Sequence, residues 1–313
     1  MKILLREYHN GMSIVQVGKM IKAEIIADSI SSKGKRLTTF VLHFPRIVLA
    51  EFNTHRALSR NSASSRAIPF KKMMKLVKEN PFIPMKWMKE HTGMQGSEYF
   101  GEKESSVLET LWLESRDSAV AKAEALSQWG LTKQFCNRLL EPFMWHTVIC
   151  TGSEWENFFA LRSHPDAEIH IQALADKMLE VYNNSVPTKL EGGEWHIPFG
   201  DSFDPERLRE YAFKKSDGLV RGRTPIEDAK IRIATARCAR VSYLNFEGKD
   251  DYDADLELHD RLCQSGHMSP FEHCAMNMED EEVYGNFIGW KQYRKHFNKE
   301  NRTDERVKKY NSS

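Results

Sequence analysis

The pattern of apolar and polar positions predicts strands and then a helix in the first 70 residues. Two runs rich in β-branched and apolar residues, 23–30 and 37–43, flank a polar turn and predict a pair of strands. The run 47–59 has apolar residues near one helical face and predicts a helix. A polar segment follows at 60–66, and the Lys-, Met- and Pro-rich stretch 71–100 predicts an irregular surface insertion.

The middle of the chain has mostly helical periodicity. Residues 104–129 predict a helix that ends at Gly130, and residues 131–146 predict another that Pro142 interrupts. Ser153, the first residue of a capping-box pattern, and Asp166 are predicted to cap two further helices.

A rise in Gly, Pro and polar residues predicts a linker at 183–228, between an N-terminal part at 1–182 and a C-terminal part at 229–313. The predicted elements of the C-terminal part are a strand or helix at 229–243, an acidic loop at 247–255, a helix at 256–264 ended by Gly266, a strand at 274–278 and a helix at 286–297.

Composition narrows the class of protein. The 313 residues carry a net charge of +1, so a general polyanion binder is not indicated and no nucleic-acid partner is expected. No apolar run is long enough to cross a bilayer, and the N-terminus does not resemble a secretory signal. The five cysteines are an odd set without a C-x-x-C pair, which indicates buried thiols in a cytoplasmic protein.

The segment 54–66 combines arginines, a histidine, serines and an asparagine directly after an apolar run. Such a cluster of donors suits a phosphate or a pyrimidine carbonyl. From the residues alone, a solvated helix end capped by Ser and Asn is the favoured explanation of the pattern.

The same segment resembles the signature R-H-R-x-x-S-x-N-x-x-S-x-R of flavin-dependent thymidylate synthases. The matching positions are His55, Arg56, Ser59, Asn61, Ser64 and Arg66. Thr54 replaces the first arginine, and Ser62 replaces a glutamate common in that family.

Two further blocks carry the resemblance. In the block 137–175, Arg138, Asn157 and Arg162 match a nucleotide-binding arginine, a flavin-contacting asparagine and the arginine that polarises the pyrimidine. The block 236–273 resembles the segment that precedes the signature in the family, yet here it follows the signature. This motif order indicates either a circular rearrangement or two related half-units, each of which kept part of the site.

The resemblance implies an α+β fold, with a mostly antiparallel sheet, flanking helices and active sites shared within a homotetramer. It implies that dUMP is methylated to dTMP with methylenetetrahydrofolate, FAD and NADPH. Arg162 is the implied catalytic residue, a fixed guanidinium that stabilises negative charge on the pyrimidine. The implied substrate contacts are Ser64, Arg66, Arg138 and Arg162. The implied flavin contacts are His55, Arg56, Asn61, Asn157, His267, Ser269 and Glu272.

The rearrangement suggests one further hypothesis. Glu51 and Thr54 stand where the family has a glutamine and an arginine, and Gln292 and Lys295 have equivalent places in the predicted C-terminal helix. We expect Gln292 and Lys295 to supply the missing substrate-binding donors; a helix with solvated basic residues is the alternative.

Other functions remain open at this level. A sister enzyme could act on dCMP or form a hydroxymethylated product, and a non-enzymatic nucleotide-binding protein could reuse the scaffold. A metal hydrolase is a third class, although the spacing of His267 and His273 is not a common zinc pattern, and no metal site is predicted.

Overall fold

A computed structural model describes residues 20–93, 96–214, 224–241, 251–297 and 300. Its helices are α1 (Leu49–Phe52), α2 (Phe70–Glu79), α3 (Glu102–Gln128), α4 (Lys133–Arg138), α5 (Glu156–Arg162), α6 (Ile169–Asn184), α7 (Pro205–Lys214), α8 (Pro225–Arg240) and α9 (Tyr252–Ser265). Its strands are β1 (Lys22–Ser31), β2 (Arg36–Pro45), β3 (Ser59–Ser62), β4 (Trp145–Gly152), β5 (Thr188–Leu190), β6 (Trp195–His196), β7 (Ala275–Asn277), β8 (Val283–Tyr284), β9 (Phe287–Ile288) and β10 (Trp290–Gln292).

Across the described ranges, the main sheet has five strands in the order β3-β4-β2-β1-β5, of which only the β1–β5 pair is parallel. Three short strands form a second sheet, β10-β7-β6, and β8 pairs with β9. Gly34 in the β1–β2 turn has a φ of 76°, a conformation that glycine adopts without strain. The predicted pair of N-terminal strands and the α+β class with a mostly antiparallel sheet are confirmed.

Alternation along β2 explains how the main sheet is covered on both faces. Phe40, Leu42 and Phe44 pack with residues of α5 and α6 in one apolar cluster. Val41 belongs to a second cluster that includes Ile231 of α8. Because successive strand residues point to opposite faces, the sheet lies between two helical layers.

A third apolar cluster joins α2, α3 and α4. Its buried members include Phe70, Met73 and Val77 of α2, which follow each other at helical spacing. The prediction of an irregular insertion at 71–100 is therefore wrong for its first part. The predicted helix ending at Gly130, whose φ is 82°, is confirmed as α3.

The strand β4 was missed. The sequence predicted a helix over 131–146, but only Lys133–Arg138 is helical and the strand starts at Trp145. β4 pairs with β2 on one side and β3 on the other, and Val148, Ile149 and Cys150 are fully buried. A central strand buried on both faces reads as a continuous apolar run, which periodicity does not separate from a buried helix.

The helix predicted over 47–59 ends at Phe52. The guanidinium of Arg60 donates to the carbonyls of Phe52 and His55, so these carbonyls are satisfied while the chain turns. Leu58 reaches the core from this turn, and the polar segment that follows becomes the edge strand β3.

Both predicted helix caps are wrong. The hydroxyl of Ser153 accepts from the backbone N–H of Ile288 and caps nothing. Helix α6 is capped by Glu168, whose carboxylate accepts from the N–H groups of His170 and Ile171.

In the C-terminal part, the helix that stops at Gly266 and the strand near 274–278 are confirmed as α9 and β7. The region 229–243 is helical as far as Arg240. In the predicted acidic loop 247–255, residues 247–250 lie outside the described residues, and the prediction of a loop is wrong for residues 252–255, which begin helix α9. The helix predicted over 286–297 is wrong. Gly289 has a φ of 74°, and a Cβ there would lie 2.6 Å from the carbonyl oxygen of Asp280, so two short strands and a 3-10 turn replace the helix.

The segment predicted as a linker contributes β5 to the main sheet and β6 to the second sheet. Trp195, Phe199 and Phe203 are buried in the cluster that contains Ile26 and Ile233. The division of the chain into parts stays a prediction. Among the described residues, none of the helices is both long and apolar enough to cross a membrane.

Candidate functional site

Arg162 and the start of the signature meet at the end of α5. Arg162 Nε donates to His55 Nε2 at 3.0 Å, and its Nη2 donates to Thr54 Oγ1 at 3.3 Å. Phe158, one turn earlier on α5, contacts the His55 ring edge-on with centroids 4.9 Å apart. The sheet and α5 therefore bring together the first and second sequence blocks, as the resemblance implied.

The electrostatics of this pair make His55 neutral. Burial lowers the pKa of His55, and the charges of Arg162 and Arg60 lower it further. Since Nε2 accepts from Arg162, the proton of the neutral ring lies on Nδ1. His55 thus holds the guanidinium in place and leaves its charge uncompensated.

Thr54 has two hydrogen bonds of its own. Its hydroxyl donates to the carbonyl of Glu51 at 2.6 Å and accepts from Arg162. The carboxylate of Glu51 has one buried oxygen, Oε2, without a hydrogen-bond partner in the described part of the chain. A hydroxyl and a carboxylate therefore stand where the resemblance implies a guanidinium and an amide.

Arg66 and Arg138 lie on adjacent pieces of backbone. Asn137 donates to the carbonyls of Ser65 and Ile68 at 2.7 and 3.0 Å, which ties α4 to the end of the signature. Both arginines are exposed, and neither has a side-chain partner among the described residues. Ser64 Oγ accepts only a 3.3 Å bond from the Arg66 N–H. Two unpaired guanidinium groups and a hydroxyl suit a phosphate.

Asn61 of β3 joins the signature to the out-of-order third block. Its Nδ2 donates to the carbonyl of Cys238 at 3.0 Å, and its Oδ1 accepts from Ser269 Oγ at 2.9 Å. Both ends of this buried amide are therefore occupied by the protein. The structure brings Asn61 and Ser269 together, but in a contact that fixes the loop.

The other residues expected at the flavin differ in availability. Arg56, Asn157 and His267 are exposed, and none has a side-chain partner in the described ranges. Glu272 is half-buried and forms an ion pair with Arg294. Three of the four side chains are therefore free to meet a ligand, and the fourth is neutralised by the protein.

Gln292 and Lys295 have different surroundings from those expected. Gln292 is buried in β10 and donates to Ser59 Oγ, so it lies beside the signature. Lys295 lies in the 3-10 turn Tyr293–His296, and its Nζ donates to Glu300 at 2.8 Å. The C-terminal helix that was to present both residues does not form.

A chain of buried polar groups beneath the site was missed. Ser29, His196, Thr39, Thr151 and His273 are linked in this order by side-chain contacts of 2.8–2.9 Å. Burial lowers the pKa of His196 and of His273 to about 3, so both rings are neutral. The sequence signal was the W-H-I-P-F motif at 195–199, which has a conspicuous histidine between apolar residues.

Residues 36–188 match the family model described as thymidylate synthase complementing protein. The match covers just under half of the chain. The matched range includes His55, Arg66, Arg138 and Arg162, and therefore the first two sequence blocks. The third block lies beyond it, and its assignment stays a prediction.

Two solved structures resemble part of this chain. Both are structures of a UMP/dUMP methylase, PolB from Streptomyces cacaoi, one bound with 5-Br UMP and the other with 5-Br dUMP. The first has 13% identity and a TM-score of 0.45, and the alignment covers 53% of this chain and 90% of the other. The second has 14% identity and a TM-score of 0.44, with 53% and 92% covered. No curated protein matches the chain.

Proposed function

We propose that the chain is a flavin-dependent thymidylate synthase that methylates dUMP reductively to dTMP, with FAD, NADPH and methylenetetrahydrofolate. The observation that carries the proposal is the pairing of Arg162 with His55 inside the segment that matches the family model of thymidylate synthase complementing protein. We assign the charge-stabilising role to Arg162, since His55 orients it without cancelling its charge.

The nucleotide phosphate is assigned to Arg66 and Arg138, with Ser64 beside them. The hydrogen bond between Asn137 and Ser65 joins the backbone segments that carry these side chains. Neither arginine has a side-chain partner among the described residues, so both guanidinium groups can pair with a ligand. A guanidinium offers a planar fork that matches phosphate oxygens, which a lysine does not.

The residues expected at FAD fit it in part. Arg56 offers a cation, and Asn157 and His267 offer further hydrogen-bonding groups, suited to the flavin diphosphate and ring edge. Asn61 is engaged by Cys238 and Ser269, so we assign it to holding the loop around the cofactor. When bound, reduced FAD supplies the hydride for C6 of the pyrimidine, and methylenetetrahydrofolate supplies the carbon for C5.

The test is a single anaerobic turnover of the full chain with reduced FAD, methylenetetrahydrofolate and either dUMP or dCMP, with products identified by mass spectrometry. Formation of dTMP from dUMP is the expected result. The proposal fails if neither nucleotide is converted and the purified protein binds no flavin.

Action on dCMP is the second candidate, and it is favoured by the surroundings of Arg162. Thr54, which replaces an arginine of the family signature, occupies one nitrogen of the Arg162 guanidinium. A product from dCMP and none from dUMP would keep the flavin and folate chemistry and change the base specificity.

We further propose that the protein works as a homotetramer with shared sites. Near Arg138, Trp129 is 90% exposed, Phe135 52% and Leu139 44%. Large apolar side chains clustered on a surface are typical of a contact with another protein. Light scattering after size exclusion tests this assembly, and a monomer at working concentration would contradict it.

A further inference from the structure

We propose that Gln292 and Asn286 of the C-terminal part are positioning residues, which hold the signature strand β3 in the conformation that binds the nucleotide. Neither residue lies in the segment that matches the family. The nucleotide-binding half of this inference rests on the function proposed above.

The first observation is a closed set of hydrogen bonds around Ser59. Gln292 Nε2 donates to Ser59 Oγ at 3.0 Å and to Asn286 Oδ1 at 2.9 Å. Asn286 Nδ2 donates to Ser59 Oγ at 3.0 Å and to the carbonyl of Ala57 at 3.3 Å. Ser59 and Gln292 are 2% and 1% exposed, so these polar groups depend on each other and not on water.

The second observation is the place of Ser59 in the chain. It opens β3, the edge strand of the main sheet, which in the described part of the chain pairs with β4 alone. The bonds to Ala57 and Ser59 fall inside the signature, and the proposed nucleotide contacts Ser64 and Arg66 follow the end of β3 within four residues. A four-residue strand paired on one side has few other contacts to fix it.

The third observation is the hairpin that presents Asn286. Strands β8 and β9 pair Val283 with Ile288 and Tyr284 with Phe287, which leaves Gly285 and Asn286 as the two-residue loop. Gly285 has a φ of 78°, as the first loop position of a type II′ turn requires. A Cβ at Gly285 would overlap Gln292 Oε1, so the turn and the buried amide are built to fit each other.

These contacts give the C-terminal part a role that differs from the donor role expected for Gln292. Its amide hydrogens are both consumed within the protein, so it orients signature residues and does not reach a ligand. Loss of this amide should loosen residues 55–62 while the pairing of β4 with β2 is kept.

The first experiment compares hydrogen exchange of the full chain in wild type, Gln292→Leu and Gly285→Ala. Both variants should raise exchange of peptides covering 55–62 at least about tenfold, because one removes the amide and the other displaces it. The control is Asn277→Leu, which removes a buried amide of β7 that donates to the carbonyl of Leu190. It should leave exchange of 55–62 unchanged, and equal protection in Gln292→Leu and wild type would overturn the positioning role.

The second experiment measures dUMP affinity of the same proteins by calorimetry. Gln292→Leu and Gly285→Ala should weaken dUMP binding about tenfold, and Asn277→Leu should not. Wild-type affinity in the Gln292→Leu variant would overturn the link to nucleotide binding. If wild type itself binds no pyrimidine nucleotide, the proposed function fails, while the exchange result still decides whether Gln292 positions β3. If Gln292→Leu does not fold, Ser59→Ala removes the shared acceptor instead.

Discussion

At the scale of single residues, the arginines of the site differ in whether their guanidinium groups form hydrogen bonds within the protein. Arg162 donates hydrogen bonds from two of its nitrogens, to His55 and Thr54, and these bonds hold it in one orientation. Arg66 and Arg138 have no side-chain partner among the described residues and keep their full donor capacity. A fixed guanidinium suits charge that develops in a reaction, whereas free ones suit a phosphate present throughout binding.

Replacing Arg162 with Lys should lower kcat for dUMP by about 10²–10³, since an ammonium keeps the charge but not the orientation set by both bonds. Steady-state kinetics measure the change. Arg209→Lys, an exposed arginine of α7, is the matched control and should behave like wild type. Nearly intact turnover in Arg162→Lys would remove its catalytic assignment.

Replacing Arg66 or Arg138 with Ala should weaken dUMP binding at least about tenfold, because each change removes a charged hydrogen bond to phosphate. Deoxyuridine, which lacks the phosphate, should bind all three proteins equally. Calorimetric titration with both compounds separates the two effects. An equal loss for nucleotide and nucleoside would place these arginines elsewhere in the site.

The residue types of this site could be predicted from the sequence, but most of their partners could not. The motif spacing identified His55 and Arg162, and the structure places them in contact. The engagement of Asn61 by Ser269 and Cys238 depends on contacts across 208 and 177 positions, which no local pattern encodes. Gln292 was predicted to donate to the substrate from a helix, whereas it lies in strand β10 and donates to Ser59 of the signature.

At the scale of elements, local sequence patterns predicted the long helices and the first hairpin correctly. They did not predict the strands whose formation depends on pairing with distant parts of the chain. β3 is polar throughout, and β4 has an apolar run at 148–150 between polar residues, so neither shows strict alternation, yet they are neighbours in the sheet. Capping was misplaced by two residues at α6, because Asp166 and Glu168 both suit a helix start by composition.

The difference between these two acids is measurable. Glu168→Ala should lower the free energy of unfolding by about 1 kcal/mol, since it removes the acceptor for two helix N–H groups. Asp166→Ala should change it by less than about 0.5 kcal/mol, because Asp166 is exposed and caps nothing. Urea unfolding of both variants tests this, and equal losses would contradict the assignment of the cap.

At the scale of the whole molecule, buried histidines connect stability to pH. Burial lowers the pKa of His43 to about 4 and that of His196 and His273 to about 3, compared with 6.5 for a solvated ring. Asp28 partly opposes the effect at His196, and Lys22 adds to it at His43. The folded protein therefore excludes protons that the unfolded chain accepts below about pH 6.5.

The free energy of unfolding should be nearly constant above about pH 7 and should fall as the pH drops from 6.5 toward 4. Each neutral histidine contributes up to about 1.4 kcal/mol per pH unit in this window. Urea unfolding at pH 7.5, 6 and 5 measures the slope. His43→Gln should reduce it, and an unchanged slope would show that His43 is not excluded from protonation.

Within the described residues, hydrogen bonds from residues that are synthesised much later hold the edge strand β3 in place. Gln292 lies 233 positions after its partner Ser59, and Ser269 lies 208 after Asn61. On a ribosome that adds about 5–20 residues per second, residues 36–188 would be complete on the order of ten seconds before Ser269 and Gln292 are synthesised. The nascent protein therefore passes through an interval in which its sheet can form before β3 is fixed by these contacts, and we expect any nucleotide to bind weakly during that interval.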